Sequence, residues 1–150
     1  MWTRVLGWTI LGTVGLTACA MQPIGHARLY QCGPGICKVE VTVAMEGDRC
    51  VARLVDPTQT TLRMPQYNGV VIQWQLHRDV DGTHEFRDTS IRLKTGSTDQ
   101  FQPDGAIGGG KKYQLVNKNS NGETYEYYIK VYSRTTAQVC ELDPFIRNVN

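Results

Sequence analysis

The chain has 150 residues, 16 of them basic and 14 acidic, for a formal net charge of +2, and 41% of it is hydrophobic. That length fits one domain. The near-neutral balance removes the electrostatic case for nucleic acid, and with it a polybasic patch as the main route to a membrane.

The first 18 residues have the layout of a secretory signal. Arg4 supplies the positive charge, and Val5 to Leu16 form a mostly apolar run of 12 residues. A membrane span needs roughly 20. Thr17 and Ala18 place small side chains directly before Cys19. Leu16-Thr17-Ala18-Cys19 resembles the lipobox of bacterial lipoproteins. The resemblance implies that the Cys19 sulfur receives a diacylglycerol, that the chain is cut before it, and that the new amino group is acylated, for example by palmitate. Several acyl chains on one residue give stable anchoring where one chain is marginal. Ala20, in a position where Asp is associated with inner-membrane retention, implies the outer membrane with the domain facing the periplasm. The mature chain is then Cys19 to Asn150, 150 − 18 = 132 residues, and loses only Arg4 among its charges.

The division expected is a signal helix over 1–18, a lipid anchor and tether over 19–36, and a β domain over 37–150. The tether contains Pro23, Gly25 and His26 and shows no period. With Cys19 committed to lipid, Cys32, Cys37, Cys50 and Cys140 remain, an even number in an oxidising compartment. Two disulfides are therefore expected, and four cysteines allow three pairings. Cys32-Gly-Pro-Gly-Ile-Cys37 holds a Pro-Gly turn that brings its two cysteines close. Four residues between them do not suit a two-residue redox motif, and no second pair follows at zinc spacing.

From Cys37 the chain alternates with period two. Val39, Val41, Val43 and Met45 share one face, and the turn Glu46-Gly47-Asp48-Arg49 leads into a second strand over Cys50 to Val55. Pairing across that turn sets Cys50 near Met45, out of register with Cys37. The expected bridges are therefore Cys32–Cys37 and Cys50–Cys140, the latter closing about 90 residues and stabilising by roughly 4 kcal/mol. Thr60 to Met64 reads as a short strand stopped by Pro65, and Val70 to His77 as a central strand with Val70, Ile72, Trp74 and Leu76 on one face. Ile91 and Leu93 give a further period-two pair, and Phe101 is an apolar anchor before Pro103-Asp104-Gly105. Lys112 to Val116 and Thr124 to Tyr132 flank Asn121-Gly122, a hairpin signal. In the later strand Tyr125, Tyr127, Ile129 and Val131 form one face, and Glu126, Tyr128, Lys130 and Tyr132 the other. Val139, Cys140 and Leu142 close the series. Seven or eight short strands at this spacing predict an all-β fold, an antiparallel Greek-key β-sandwich.

The early Cys strand, the strand carrying Ile72-Gln73-Trp74, the run Glu123 to Tyr132 and the final Cys140-Glu-Leu-Asp-Pro-Phe-Ile-Arg-Asn resemble small bacterial β-sandwich domains of cupredoxin-like or immunoglobulin-like shape. Cys50, Trp74 and Cys140 follow the immunoglobulin order Cys, Trp, Cys, but Gln138 stands where its tyrosine corner would be.

A blue-copper site needs two His, a Cys and usually a Met. No His or Met follows Cys140, and the histidines are His26, His77 and His84, so no metal or other cofactor is expected. His77 and His84 flank a turn and, with Asp79 or Glu85, would make at most a weak site. Gly105 to Lys112 approaches a phosphate-binding loop, but Lys112 occupies the position of the magnesium-binding hydroxyl and a β-rich segment follows. It reads as a flexible basic loop whose Lys111 and Lys112 are candidates for contact with a partner. No nucleophile elbow is present, and no enzyme is expected. Tyr128 and Tyr132 share a face with Glu126 and Lys130 and are the aromatic candidates for binding sugar or protein. The function expected is a lipid-anchored, non-enzymatic binding or structural module of the cell envelope, with an envelope protein or cell-wall component as partner. The alternative is an envelope hydrolase inhibitor or immunity lipoprotein acting through the 105–112 loop.

Overall fold

The computed structural model describes residues 29–65, 69–94 and 98–149. The signal segment, Cys19 and the tether up to residue 28 lie outside them. The described chain is built from twelve strands and two short 3-10 turns. It joins the sheet at β1, Tyr30–Gln31, ahead of the domain start expected at Cys37.

The alternating segments become strands as their period requires. β2 (Ile36–Glu46) buries Cys37, Val39 and Val41. Gly47, at φ 61, turns it into β3 (Arg49–Leu54), with Met45 opposite Cys50. Asp56 then caps a 3-10 turn over Pro57–Thr60 by accepting from the Thr58 amide at 2.9 Å. After β4 (Thr61–Arg63), β5 (Val70–Leu76) buries all four of its expected inward residues, and Gln73 as well. β6 (His84–Glu85) and β7 (Ile91–Leu93) are short, and β8 (Phe101–Ile107) runs antiparallel to β9 (Lys112–Asn117). β10 (Thr124–Ser133) alternates strictly, with Tyr125, Tyr127, Ile129 and Val131 all at 1% exposure or less. β11 (Val139–Leu142) and β12 (Phe145–Arg147) finish the chain.

Hydrogen bonds link the strands in the order β1-β4-β12-β10-β11-β3-β2-β5-β9-β8, with β6 and β7 on the remaining edge of β10. β2 joins the two halves of this path. Residues Ile36–Val41 pair with β5, and Val41–Glu46 pair with β3. The path folds over so that β5, β8 and β9 face β10. Trp74 of β5 lies 5.5 Å from the Tyr127 ring of β10, and Phe101 of β8 lies 4.8 Å from Tyr125 in an edge-on contact. Opposite the β2 side, the Phe86 amide donates to the Gly110 carbonyl at 2.7 Å and ties the two halves again.

The all-β class holds, but the sheet is mixed rather than purely antiparallel. β1–β4, β4–β12, β2–β5 and β3–β11 are parallel pairs. Alternation reports which face a side chain takes and carries nothing about the direction of the neighbouring strand. Two further expectations are corrected. β9 and β10 are not a hairpin, since β9 pairs with β5 and β8 while β10 pairs with β6, β7, β11 and β12. The left-handed residue of their connection is Asn119, at φ 50, rather than Gly122. The 105–112 segment is an ordered hairpin rather than a flexible loop. Residues 105–107 belong to β8, and Gly108, Gly109 and Gly110 supply the positive φ of a tight turn.

Both expected disulfides form. Cys32–Cys37 ties the residue after β1 to β2, and Cys50–Cys140 ties β3 to β11 across a sequence separation of 90. All four cysteines are buried.

Candidate functional site

The outward face of β10 carries Tyr128 and Tyr132 at half-burial, as alternation requires. Neither ring is bare. The Arg87 guanidinium lies 4.5 Å over Tyr132, and the Lys130 ammonium 4.9 Å over Tyr128. Tyr132 and Thr89 share a hydroxyl contact at 3.1 Å. Lys130 donates to Glu141 at 2.8 Å, and this contact raises the Lys130 pKa above its ordinary value. Lys94 bridges Glu126 at 2.8 Å and Asp143 at 3.0 Å and is raised in the same way. The face is thus a row of aromatic rings and matched charges, laid out by the period of β10 and by the strands beside it.

The row continues to the hairpin. Glu85, opposite Tyr132, takes Arg87 at 2.8 Å and Arg134 at 3.3 Å. Arg134 donates onward to the Gly109 carbonyl at 2.6 Å and the His84 carbonyl at 3.0 Å. Lys111 is held by Asp81 at 2.9 Å. Tyr132 and the hairpin therefore share one network. Lys112 does not join it, because Tyr113 points into the core and Lys112 lies on the outward side of the opposite layer.

His77 and His84 are not brought together. His77 pairs with Asp79 at 3.0 Å. His84 meets the Thr83 hydroxyl at 2.9 Å and sits beside the Cys50–Cys140 bridge, its nearest ring nitrogen and both sulfurs falling within 4.8 Å of one another. Burial lowers the imidazole pKa, so the ring is neutral at pH 7. A Cys2His set is a metal-ligand type only as thiolates, and bonded sulfurs are not thiolates. Sequence spacing gives no hint of this cluster, whose members lie on three separate strands.

Two of the grooves lie beside the elements described so far. One, about 290 Å³, is lined by Lys38, Glu40, Val55, Asp56, Gln59 and Gln75. The other, about 400 Å³, opens between the edges of β7 and β8, with Ile91, Phe101, Tyr113 and Leu115 as an apolar floor and Asp88 and Arg92 on the rim. The edge beside it is blunted, since Pro103 lacks an amide, the register slips between Pro103 and Gly105, and Asp88 accepts from the Ala106 amide at 3.3 Å.

No protein-family model matches the sequence, and no curated protein matches it.

Proposed function

We infer that the chain is an exported, lipid-anchored β-sandwich protein of the bacterial envelope, acting as a non-enzymatic binding or structural module. The observation that carries export is the pair of buried disulfides. Such bonds persist in an oxidising compartment, where an export signal sends a chain. The lipobox-like Leu16 to Cys19 supplies the anchor in this reading. The contact surface is the outward face of β10 with its extension through Glu85 and Arg134. Aromatic rings and fixed charges in one row suit an interface with a protein or cell-wall component. The rings are already stacked by Arg87 and Lys130, so they lose little side-chain freedom on binding.

The hairpin favours a second reading, an inhibitor or immunity lipoprotein. Its exposed tip is held by Arg134 and Asp81, and a rigid protrusion suits insertion into a partner's cleft.

Photo-crosslinking in intact envelopes separates the two. Capture from position 132 and not from position 109 supports the β10 face, and the reverse supports the hairpin. Attachment is tested by Cys19→Ala, which should leave an unprocessed or soluble precursor. Maturation to the same mass, with retention in the outer membrane, would refute the anchor.

A further inference from the structure

β1, β4 and β12 lie side by side and parallel, with Gln31, Arg63 and Arg147 in register across them. Alternation puts Tyr30, Leu62 and Ile146 inside, where Leu62 and Ile146 are fully buried. The same alternation sends Gln31, Arg63 and Arg147 outward, and Leu29, Thr61 and Phe145 with them. Leu29 and Phe145 are each 38% exposed, two of the few large apolar side chains left open to solvent. Neither guanidinium has an ion-pair partner among the described residues, a state shared by Lys38, Arg49, Arg92, Lys112 and Lys118, but only Arg63 and Arg147 stand directly opposite each other on paired strands. None of the six outward side chains is acidic. The nearest carboxylate on β10, Glu126 opposite Phe145, is held by Lys94. A groove of about 460 Å³ runs between the two arginines, with Leu29 and Val149 in its walls. The patch includes β1, the first strand of the described residues.

We propose that the outward face of β1–β4–β12 docks on the anionic phospholipid headgroups of the membrane that anchors the chain. The proposal rests on the lipid-anchor reading above. Ten residue steps separate Cys19 from Leu29, so the tether reaches at most about 35 Å and keeps this face near the bilayer. Arginines bind phosphate through paired N–H donors, and exposed Leu and Phe side chains enter the apolar boundary beneath.

The test uses the mature lipoprotein, purified from envelopes and reconstituted into vesicles of phosphatidylcholine alone or mixed with phosphatidylglycerol. Trypsin cutting after Arg28 reads whether the tether is shielded. An arginine near an anionic surface contributes roughly fivefold in binding, so the pair gives roughly 25-fold. Cutting should slow by more than tenfold on the anionic vesicles at low salt. R63Q/R147Q should abolish the protection, and K111Q/K112Q should keep it. Equal cutting on both vesicle types, or protection that survives R63Q/R147Q, would overturn the proposal. Intact mass separates this from failure of the anchor. If Cys19 carries no acyl chain, the same protein is floated with the vesicles instead. Salt-sensitive flotation with phosphatidylglycerol, lost in R63Q/R147Q, still supports docking, and no flotation overturns it.

Discussion

Removing the two disulfides one at a time should give unequal losses, because they close loops of very different length. Cys50→Ala with Cys140→Ala opens a loop of 90 residues, and Cys32→Ala with Cys37→Ala one of five. In the chain-entropy treatment these are worth about 4.6 and about 2.1 kcal/mol at 25 °C. The cavity left by the lost sulfur atoms adds a further cost, but all four cysteines are buried to within 6% exposure, so that cost is similar for both pairs and cancels in the comparison. The long-loop variant should thus be about 2.5 kcal/mol less stable than the short-loop one. For a domain of this size the melting temperatures should fall by roughly 15–20 °C and 6–10 °C respectively. Guanidinium unfolding of the three proteins, oxidised and at one pH, measures the difference directly. Equal losses, or a larger loss for the Cys32 and Cys37 pair, would show that local strain or native-state contacts outweigh loop entropy and would refute this reasoning.

Tyr127 is fully buried, and its hydroxyl and the Trp74 indole nitrogen face each other, with rings 5.5 Å apart, without reaching hydrogen-bond geometry to each other or to any other described residue. Burial pushes the phenol far above the ordinary tyrosine range, with Trp74 only partly opposing it. Tyr127→Phe removes a desolvated hydroxyl and should be neutral or stabilising by about 1 kcal/mol, and a loss above that size in urea unfolding would reveal a hidden partner. Gly110 sits at φ 80, and an added Cβ would lie 2.9 Å from the Phe86 carbonyl, which is backbone and cannot swing away. Gly110→Ala should therefore cost roughly 1–3 kcal/mol, read by thermal melting, and a wild-type melting curve would contradict the packed hairpin. His84 has its pKa lowered by burial, so as the pH falls through about 6.5 the unfolded chain takes up the proton first. Stability should drop below that pH, and more steeply than in His84→Gln; parallel curves between pH 8 and 5 would show that the site does not titrate.

Much of the strand content was legible because β2, β5 and β10 alternate cleanly and each buries one face. Register across the β2–β3 turn was legible too, and it led directly to the disulfide pairing. Elsewhere local signals misled. Pro103 and Gly105 read as loop, yet they sit in an edge strand, where a missing amide and a bulge are tolerated. β12 was hidden by Asp143-Pro144, although it resumes the register of β11 along β10 with no offset. Asn121 was read as half of a turn, but its side chain contacts Tyr125 at 2.7 Å and Asn148 at 3.3 Å, in a polar cluster that includes Asn117. The parallel partners of β4 and β5, and the place of His84 beside a disulfide, depend on long-range topology that no local window contains.

The pairing of β11 and β12 bears on the order of folding. β4 has only two neighbours, β1 and β12, while β11 covers the edge of β3 that β2 leaves open. The early strands β3 and β4 are thus completed by β11 and β12, the last strands in chain order. Until they arrive, β3 and β4 present open backbone edges of the kind that template aggregation, and Cys50 has no native partner. Pairings this distant in sequence must form late, and they slow folding relative to a chain of local hairpins. The Cys50–Cys140 bridge fastens the same β3–β11 junction that this late pairing creates.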